Sequence, residues 1–325
     1  MKKILNNVND VVAEMIQGIT YANKDVYKVE DYNVIARKNS KDKVVLISGG
    51  GSGHEPAHAG FVGYGMLDGA VLGEVFTSPA VDQVYGAIKA INKNQGVLLV
   101  IKNYTGDVLN FEMAGEMASS EGINVKSVIV NDDIAVENSL YTAGRRGVAG
   151  TVFVHKIAGS AAEAGQSLDQ VYQLAQKVVS RTKTLGMSLG GATIPASGKK
   201  SFELVEDEVE MGLGIHGEPG THKEKLATAH QHVEKMLELL LKESDLQDEK
   251  IAVLVNGLGS TTLMELYIIN KEVNQQLQAK GIKIHKSLVG NYMTSLEMPG
   301  FSITLLKLDP EIEKYLDFEI KSTLF

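Results

Sequence analysis

The chain has 325 residues and no cysteine. Without cysteine there are no disulfide bonds, no thiolate metal ligands and no thiol nucleophiles, and the composition is typical of the reducing cytoplasm, where we expect the protein to reside. The sequence also lacks clusters of Lys and Arg, and its formal net charge is -8. No nucleic-acid partner is expected, because such a surface needs clustered cations to neutralise phosphates. Small molecules and other proteins remain as partners.

Long hydrophobic runs are missing as well. The longest aliphatic segments, such as residues 97–101, are far shorter than the roughly 20 residues that cross a bilayer as a helix. Lys2 and Lys3 resemble the start of a signal peptide, but Asn6 and Asp10 interrupt the apolar residues that follow. We therefore expect an amphipathic N-terminal helix, without export and without a membrane partner.

Short β-branched runs alternate with segments of helical periodicity, which predicts an α/β fold with largely parallel or mixed sheets flanked by helices. At this length two hydrophobic cores are expected. The sequence thus predicts two α/β domains, residues 1–183 and residues 184–325, with a boundary near residues 182–186. Predicted strands span residues 43–47, 96–102, 125–130, 187–194, 209–215, 251–255, 282–290 and 302–308. Helical patterns span residues 167–183 and 226–242.

Residues 49–53 read Gly-Gly-Gly-Ser-Gly and follow the first predicted strand. Residues with little side chain leave backbone N–H groups open to a ligand at a carboxyl strand end, which is where ligands bind in open α/β sheets. The segment is a poor match to the dinucleotide-binding fingerprint, and no Gly-Lys-Ser/Thr follows at the spacing of a Walker A loop. The spacing alone therefore indicates a ligand-binding turn without a recognisable nucleotide site.

Residues 54–58 read His-Glu-Pro-Ala-His and match the zinc-protease pattern H-E-x-x-H. That pattern needs both histidines well inside one helix. Here small residues continue to Gly53, and Pro56 has no N–H to donate, so it belongs in the first turn of a helix. We therefore expect no metal site. A helix start at this point would place the positive end of the helix dipole at His54 and favour a neutral imidazole.

Two further turns carry polar side chains. Ser78 and Pro79 predict a helix start, with Ser78 as the N-cap. Asp107 follows the strand 96–102, and spacing alone favours an N-cap role for it over a functional one. The location of Asp107 supports a functional role, because this turn and the turn at Gly51 lie at the carboxyl ends of strands expected in one sheet.

The strongest single signal is His216, which lies between glycines at the end of a predicted strand. Little local packing is expected there, so a ligand can approach the ring. A lone histidine is more often structural than catalytic, but the flanking glycines favour a catalytic role here. Histidine can act as a nucleophile, and a neutral imidazole that adds to a ketone forms a hemiaminal.

Five motifs are jointly specific. They are Ser-Gly-Gly-Gly-Ser-Gly-His-Glu-Pro at 48–56, Phe-Thr-Ser-Pro at 76–79, Ile-Lys-Asn-Tyr-Thr-Gly-Asp at 101–107, Ser-Leu-Tyr-Thr-Ala-Gly-Arg-Arg-Gly at 139–147 and Gly-Ile-His-Gly-Glu-Pro at 214–219. With them the chain resembles, essentially end to end, the family of substrate-binding subunits of dihydroxyacetone kinases that depend on phosphoenolpyruvate and the phosphotransferase system. The resemblance implies two α/β domains, a homodimer, and dihydroxyacetone held as a hemiaminal.

The resemblance also implies roles for individual residues. His216 matches the covalent ligand of the ketone, and His54 and Asp107 match the acid-base pair that acts on the substrate hydroxyl. The remaining expected substrate contacts are Gly51, Ser52, Gly53, Ser78 and Lys102. Covalent capture would select the substrate chemically, because glycerol has hydroxyls but no carbonyl to trap.

Relatives that use ATP directly carry a second, nucleotide-binding domain, for which a chain ending at Phe325 has no room. We therefore expect no cofactor in this chain. The resemblance implies ADP, with Mg, on a partner subunit of the DhaL type, which a phosphoryl-donor protein of the DhaM type recharges. The alternative is a non-catalytic paralogue that binds dihydroxyacetone and acts as a transcriptional coactivator. The coactivator would need His216, whereas phosphoryl transfer also needs Asp107 and His54.

Overall fold

The computed structural model describes residues 2–136, 142–218, 220–244, 246 and 249–322. The helices are α1 Val11–Ala22, α2 Val81–Ile91, α3 Thr105–Ser120, α4 Thr151–Glu163, α5 Leu168–Ser180, α6 Ala229–Lys242, α7 Leu263–Ala279 and α8 Pro310–Leu316. The strands are β1 Val26–Lys28, β2 Val34–Arg37, β3 Val45–Ser52, β4 Gly63–Tyr64, β5 Gly69–Val75, β6 Val97–Lys102, β7 Val125–Val130, β8 Thr182–Ser188, β9 Glu208–Met211, β10 His222–Lys225, β11 Lys250–Gly257, β12 Lys283–Gly290, β13 Gly300–Lys307 and β14 Lys321–Ser322.

The first six-stranded sheet has the order β1-β2-β5-β3-β6-β7. β3 pairs in parallel with β5 and β6, and β6 pairs in parallel with β7. The predicted strands 96–102 and 125–130 are confirmed as β6 and β7, while the strand predicted at 43–47 starts at Val45 and continues to Ser52. β3 and β6 are buried along their whole length, as expected for strands covered on both faces. Their carboxyl ends lie side by side, as predicted.

The second six-stranded sheet has the order β10-β9-β8-β13-β11-β12. Only β11 and β12 pair in parallel; the other neighbours are antiparallel, so this sheet is mixed. The strands predicted at 251–255, 282–290 and 302–308 are confirmed as β11, β12 and β13. Helices cover both sheets, and the predicted class, α/β with mixed sheets flanked by helices, is confirmed.

The strand predicted at 187–194 is misplaced. β8 begins at Thr182, directly after α5, and ends at Ser188. Gly190 and Gly191 follow, and glycine, which has no side chain to pack, weakens a strand at such positions.

The strand predicted at 209–215 is too long. β9 ends at Met211, and Gly212 has φ of +74°, a conformation that favours glycine and turns the chain out of the sheet. His216 therefore lies in a turn, four residues beyond Gly212, and not at the end of a strand.

The two halves of the chain are in contact. α4 is buried along its entire length and packs against both α5 and α8, and β14 pairs with β4. Asp132, just beyond β7, accepts hydrogen bonds from the backbone N–H groups of Val148 and Gly150 and from the hydroxyl of Thr184 in β8. The division at residue 183 stays a prediction. Among the described residues, no helix has both the length and the apolar character needed to span a membrane.

Candidate active site

The glycine-rich segment is part of a strand. β3 continues through Ser52, residues 53–58 form turns, and a short 3-10 helix, Ala59–Phe61, follows. The predicted helix start at Pro56 is therefore wrong, and so is the helix dipole expected at His54. Because no helix carries the His-Glu-Pro-Ala-His segment, the geometry that the zinc-protease pattern needs is absent from these residues.

Close backbone packing explains why glycine occupies position 51. A Cβ added to Gly51 would lie 2.6 Å from the backbone nitrogen of Thr77 and 2.8 Å from the carbonyl carbon of Phe76. Real Cβ atoms do not approach so closely, so a larger residue would push the two strand ends apart. The glycine lets the segment that carries Ser78 pass directly over the end of β3.

A cavity of about 720 Å³ opens where these strand ends meet the turn after β9. Its wall includes four of the residues expected from the sequence, namely Gly51, Ser78, Asp107 and His216. Tyr104, Phe76, Leu213 and Glu218 add apolar and acidic surface to the same wall. The cavity is far larger than a three-carbon ketone, and a concave site with a few convergent polar groups is what a small-molecule site requires.

His54 is fully buried beside this cavity. Its Nδ1 lies 2.8 Å from the carbonyl oxygen of Thr294, to which it donates, so a neutral ring carries its lone pair on Nε2. Among the described residues Nε2 has no hydrogen-bond partner. Burial, followed by the charges of His216 and Lys102, holds the pKa of His54 well below its usual value. The ring is therefore a neutral acceptor because it is buried, and not because of the helix dipole that the sequence predicted.

His216 is more tightly packed than its glycine neighbours suggested. Its ring meets His54 edge to face at 4.7 Å between centroids, Tyr104 at 4.5 Å and Phe76 at 5.4 Å. Its side chain remains 20% exposed, toward the cavity that it lines. Three aromatic neighbours restrict the ring to one orientation while leaving one edge open to a ligand.

Glu218 orients His216 from behind. Its Oε2 accepts a hydrogen bond of 2.8 Å from the backbone nitrogen of His216, and its Oε1 lies 3.5 Å from Nδ1 of the same residue. Burial alone would raise the pKa of the Glu218 carboxyl, but contact with His216 and the charge of Arg146 outweigh burial and lower this pKa to about 2. The carboxylate therefore stays ionised and faces Nδ1, which leaves Nε2 of His216 as the nitrogen available to a ligand.

Arg146 supports this turn. It is buried, its guanidinium pairs with Asp133, and one nitrogen donates to the carbonyl oxygen of Gly212 at 2.7 Å. The residues at 139–141 of the same motif lie outside the described part of the chain. The motif at 142–147 thus contributes one buried cation that ties the turn after β9 to the end of β7.

Asp107 is not the N-cap that spacing favoured. Tyr104 is the N-cap of α3, and Asp107 lies in the first turn, buried, with Oδ2 3.6 Å from Nζ of Lys102. Its Oδ1 has no hydrogen-bond partner within the described residues. A carboxylate that caps no helix and keeps one free oxygen at the cavity is typical of a proton acceptor. The functional alternative for Asp107 is thus the one that the geometry favours.

Ser78 is likewise not an N-cap, because α2 begins at Val81 with Ala80 as its N-cap. The hydroxyl instead lies opposite Gly106, where an added Cβ would approach Ser78 Oγ to 2.7 Å. Both residues line the cavity. Pro79 occupies the extended segment before the helix, so the pair predicted the helix correctly but its first residue two positions early.

The other three expected contacts lie behind the cavity wall. Ser52 Oγ donates to the carbonyl oxygen of Gly73 at 2.7 Å, and the N–H of Gly53 donates to the Glu55 carboxylate. Lys102 is buried and directs Nζ toward Gly49, His58 and Asp107. Direct substrate contact by Ser52, Gly53 and Lys102 stays a prediction.

Sequence reasoning missed several residues of this site. Glu218, Tyr104 and Phe76 stood inside the quoted motifs, but their side-chain directions depend on turns that spacing does not specify. His58 and His155 are 97 residues apart in the chain, yet their rings are hydrogen-bonded at 3.0 Å. For His155 the sequence carries no signal at all, because it lies mid-helix among apolar and small residues.

The chain is similar to known proteins over its whole length. The model of the Dak1 domain matches residues 17–324. The chain is 53% identical over 320 residues to the PTS-dependent dihydroxyacetone kinase 1, dihydroxyacetone-binding subunit DhaK, of Listeria innocua, and the match covers 98% of this chain and 97% of that protein.

Two solved structures have the same fold. The dihydroxyacetone kinase operon co-activator Dha-DhaQ superimposes with a TM-score of 0.92 at 38% identity, covering 98% of each chain. The dihydroxyacetone kinase from C. freundii, in complex with AMP-PNP and Mg2+, also gives a TM-score of 0.92 at 38% identity. That match covers 99% of this chain but 60% of the C. freundii chain.

Proposed function

The chain belongs to the Dak1 domain family, and from that premise we propose that it is the dihydroxyacetone-binding subunit of a phosphotransferase-system-dependent dihydroxyacetone kinase. It binds the ketone as a hemiaminal on His216 and transfers a phosphoryl group from a partner subunit to a substrate hydroxyl. One observation carries the proposal. The free edge of His216 faces a cavity beside two buried acceptors that have no partner among the described residues, His54 Nε2 and Asp107 Oδ1.

Hemiaminal formation follows from the orientation of His216. The lone pair on Nε2 adds to the carbonyl carbon, the carbonyl π electrons move to the oxygen, and that oxygen takes a proton from the solvent to become a hydroxyl. Positive charge develops on the imidazole, and the ionised Glu218 carboxylate, 3.5 Å from Nδ1, stabilises it. The ketone is thereby held and selected by its carbonyl, and a polyol without one gains no covalent bond.

Phosphoryl transfer uses the other wall of the cavity. A terminal hydroxyl of the captured ketone attacks the phosphorus of the donor, and the bond from that phosphorus to the donor oxygen breaks, so the leaving group stays with the partner subunit. Asp107 Oδ1 accepts the hydroxyl proton, with His54 Nε2 as the other member of the acid-base pair. Both atoms are buried acceptors, and a base must be within hydrogen-bond reach of the proton that it removes. Phosphoryl transfer needs little else from this subunit beyond positioning of the reacting groups.

The phosphoryl donor belongs to other chains in this proposal. We propose a partner subunit of the DhaL type that holds ADP with Mg, and a phosphoenolpyruvate-fed donor protein of the DhaM type that recharges it; this chain would act as a homodimer without a cofactor of its own. The C. freundii kinase, solved with AMP-PNP and Mg2+, is longer than the region matched by this chain, in keeping with a nucleotide site outside that region. The cavity is large enough to admit donor phosphates beside a bound triose.

Reconstitution tests the function. The purified chain is mixed with the ADP-bearing subunit, the phosphoryl-donor protein, the general phosphotransferase proteins and phosphoenolpyruvate, and dihydroxyacetone phosphate is measured by coupled reduction. We expect product only when dihydroxyacetone and all proteins are present. A chain that binds the ketone but yields no product would instead be a coactivator, as the similarity to the co-activator Dha-DhaQ allows.

Glu218 offers a test of the capture step alone. Glu218→Gln removes the charge facing His216 Nδ1, and we expect about 10- to 100-fold weaker ketone binding, the usual cost of removing a group that orients a reacting side chain. Binding is measured by calorimetry, and the adduct by intact-protein mass spectrometry of the ketone-loaded chain without a reducing agent. Glu238→Gln, on the exposed face of α6, is the matched control and should bind normally. Unchanged binding in Glu218→Gln would show that His216 needs no anionic partner.

A further inference from the structure

Three buried side chains form a chain of contacts behind the cavity. Lys102 Nζ lies 2.8 Å from His58 Nε2, and His58 Nδ1 lies 3.0 Å from His155 Nε2. The three side chains are buried, Lys102 and His155 completely. Neither histidine touches the cavity, and neither takes part in capture or transfer as proposed above.

The charge state of Lys102 determines both tautomers. An ammonium only donates hydrogen bonds, so His58 Nε2 must accept and His58 must carry its proton on Nδ1. That proton is then donated to His155 Nε2, so His155 also carries its proton on Nδ1, although this N–H has no acceptor among the described residues. The opposite arrangement would place an N–H of His58 against the ammonium of Lys102. A single cation thus orders two histidine rings in series.

Lys102 Nζ has two hydrogen-bond partners and one ion-pair partner among the described residues. Besides His58, the carbonyl oxygen of Gly49 accepts at 3.0 Å, and Asp107 Oδ2 lies 3.6 Å away. Burying a cation is costly unless every hydrogen is matched by an acceptor, so each of these contacts matters for where Nζ lies. Ser48 Oγ donates to the carbonyl oxygen of Val100 and lies 3.5 Å from His58 Nδ1, so it packs beside the same ring nitrogen that contacts His155.

Few other charged side chains lie near Lys102, His58 and His155 in the described part of the protein. The titratable groups that face Lys102, Asp107 and the two rings from neighbouring elements are His54 and, beyond it, His216, while Glu218 and Arg146 lie on the far side of His216. Burial and the charge of Lys102 lower the pKa of His58 well below its usual value and lower that of His155 to about 3, so both rings are neutral. Lys102 is the cation that faces Asp107 in this region.

We propose that His58 and His155 are positioning residues for the phosphoryl transfer: His155 fixes the tautomer of His58, and His58 holds the ammonium of Lys102 against Asp107. The ammonium pairs with Oδ2 of Asp107 at 3.6 Å, which leaves Oδ1, without a partner among the described residues, as the oxygen for the substrate hydroxyl. The inference rests on the proposed function only in taking Asp107 as the base.

The tautomers themselves are the first test, and they do not depend on activity. In protein labelled with 15N histidine, long-range proton–nitrogen correlation spectra report which ring nitrogen carries the proton. Between about pH 6 and 8, the range in which the enzyme is assayed, we expect His58 and His155 to be protonated on Nδ1 and unprotonated on Nε2. A His58 ring protonated on Nε2, or on both nitrogens, would overturn the proposal even if the chain is a kinase. If the tautomers are as expected but the reconstituted enzyme makes no product, only the role of Asp107 as the base is lost.

The second test compares two variants of His58 in the reconstituted enzyme. His58→Leu removes the acceptor for Lys102, and we expect kcat to fall about 10- to 100-fold with KM for dihydroxyacetone nearly unchanged, because the ammonium is no longer held beside Asp107 while capture on His216 is untouched. His58→Gln can present a side-chain oxygen to Lys102 and should recover most of the rate. The adduct on His216 should persist in both.

Controls separate this role from a merely structural one. His230→Leu, at an exposed histidine on α6, should leave kcat and KM unchanged. If His58→Leu does not fold, His155→Leu replaces it, and a smaller loss of kcat at nearly unchanged KM is expected. A wild-type kcat in both leucine variants, a loss that appears in KM instead of kcat, or an equal loss of kcat in His58→Gln would overturn the proposal.

Discussion

His216→Ala is expected to abolish the covalent adduct completely and to reduce the rate of dihydroxyacetone phosphate formation by at least about 10³-fold, the scale of loss when a nucleophile is removed. The reason is geometric. Glu218 engages the Nδ1 side of His216, and three aromatic rings hold the imidazole with its free edge at the cavity. Intact-protein mass spectrometry of the ketone-loaded chain, without any reducing agent, measures the adduct as the added mass of one ketone.

His54 is the informative control for that experiment. It is the histidine whose ring contacts His216, so it is the alternative nucleophile. His54→Asn should retain the adduct, since Nδ1 of His54 is bonded to Thr294 and the ring is fully buried. An adduct that survives in His216→Ala and disappears in His54→Asn would show that the wrong histidine has been assigned to capture.

Asp107→Asn should separate capture from transfer. We expect the adduct to form normally, while kcat in the reconstituted system falls by about 10²- to 10⁴-fold, the usual contribution of a positioned general base. Asn keeps the size of Asp107 but cannot take the proton from the substrate hydroxyl. Single-turnover transfer from the charged partner, followed by quench and product assay, gives the rate of the chemical step.

Asp169→Asn, in the exposed first turn of α5, is the matched control for Asp107→Asn, because the change is the same but lies far from the cavity. It should transfer at the wild-type rate. A normal rate in Asp107→Asn would assign the proton to His54 alone. Loss of the adduct in Asp107→Asn would mean that capture and transfer share this carboxylate.

Local patterns predicted the regular parts of the fold. β6 is an aliphatic run that ends in a lysine, β7 is rich in valine and isoleucine, and both lie within one residue of the predicted bounds. β5, Gly69–Val75, went unpredicted, because two glycines and a glutamate interrupt its apolar pattern and only its pairing with β2 and β3 stabilises it. Strand ends at Ser188 and Met211 were missed for a related reason, since glycine-dependent turns stop strands that apolar patterning would continue.

The candidate site was predictable in its residue types more than in its geometry. Spacing placed Asp107 at a helix N-cap and His54 at a helix start, and both inferences were wrong. Local signals cannot report a partner such as Thr294, which is 240 residues from His54 in sequence and supplies the acceptor for its Nδ1. Family resemblance supplied the chemical roles of His54, Asp107 and His216, and those roles stay proposals.

By itself, the sequence determined the α/β class, the absence of thiol chemistry and the presence of polar residues at strand ends, because each follows from local composition and periodicity. Only the tertiary structure decided which polar atoms lie unpaired at the cavity, which carboxylate faces His216, and that Lys102, His58 and His155 form one buried series. These contacts join segments far apart in the chain, and the orientation of a ring or a carboxylate depends on packing from all sides.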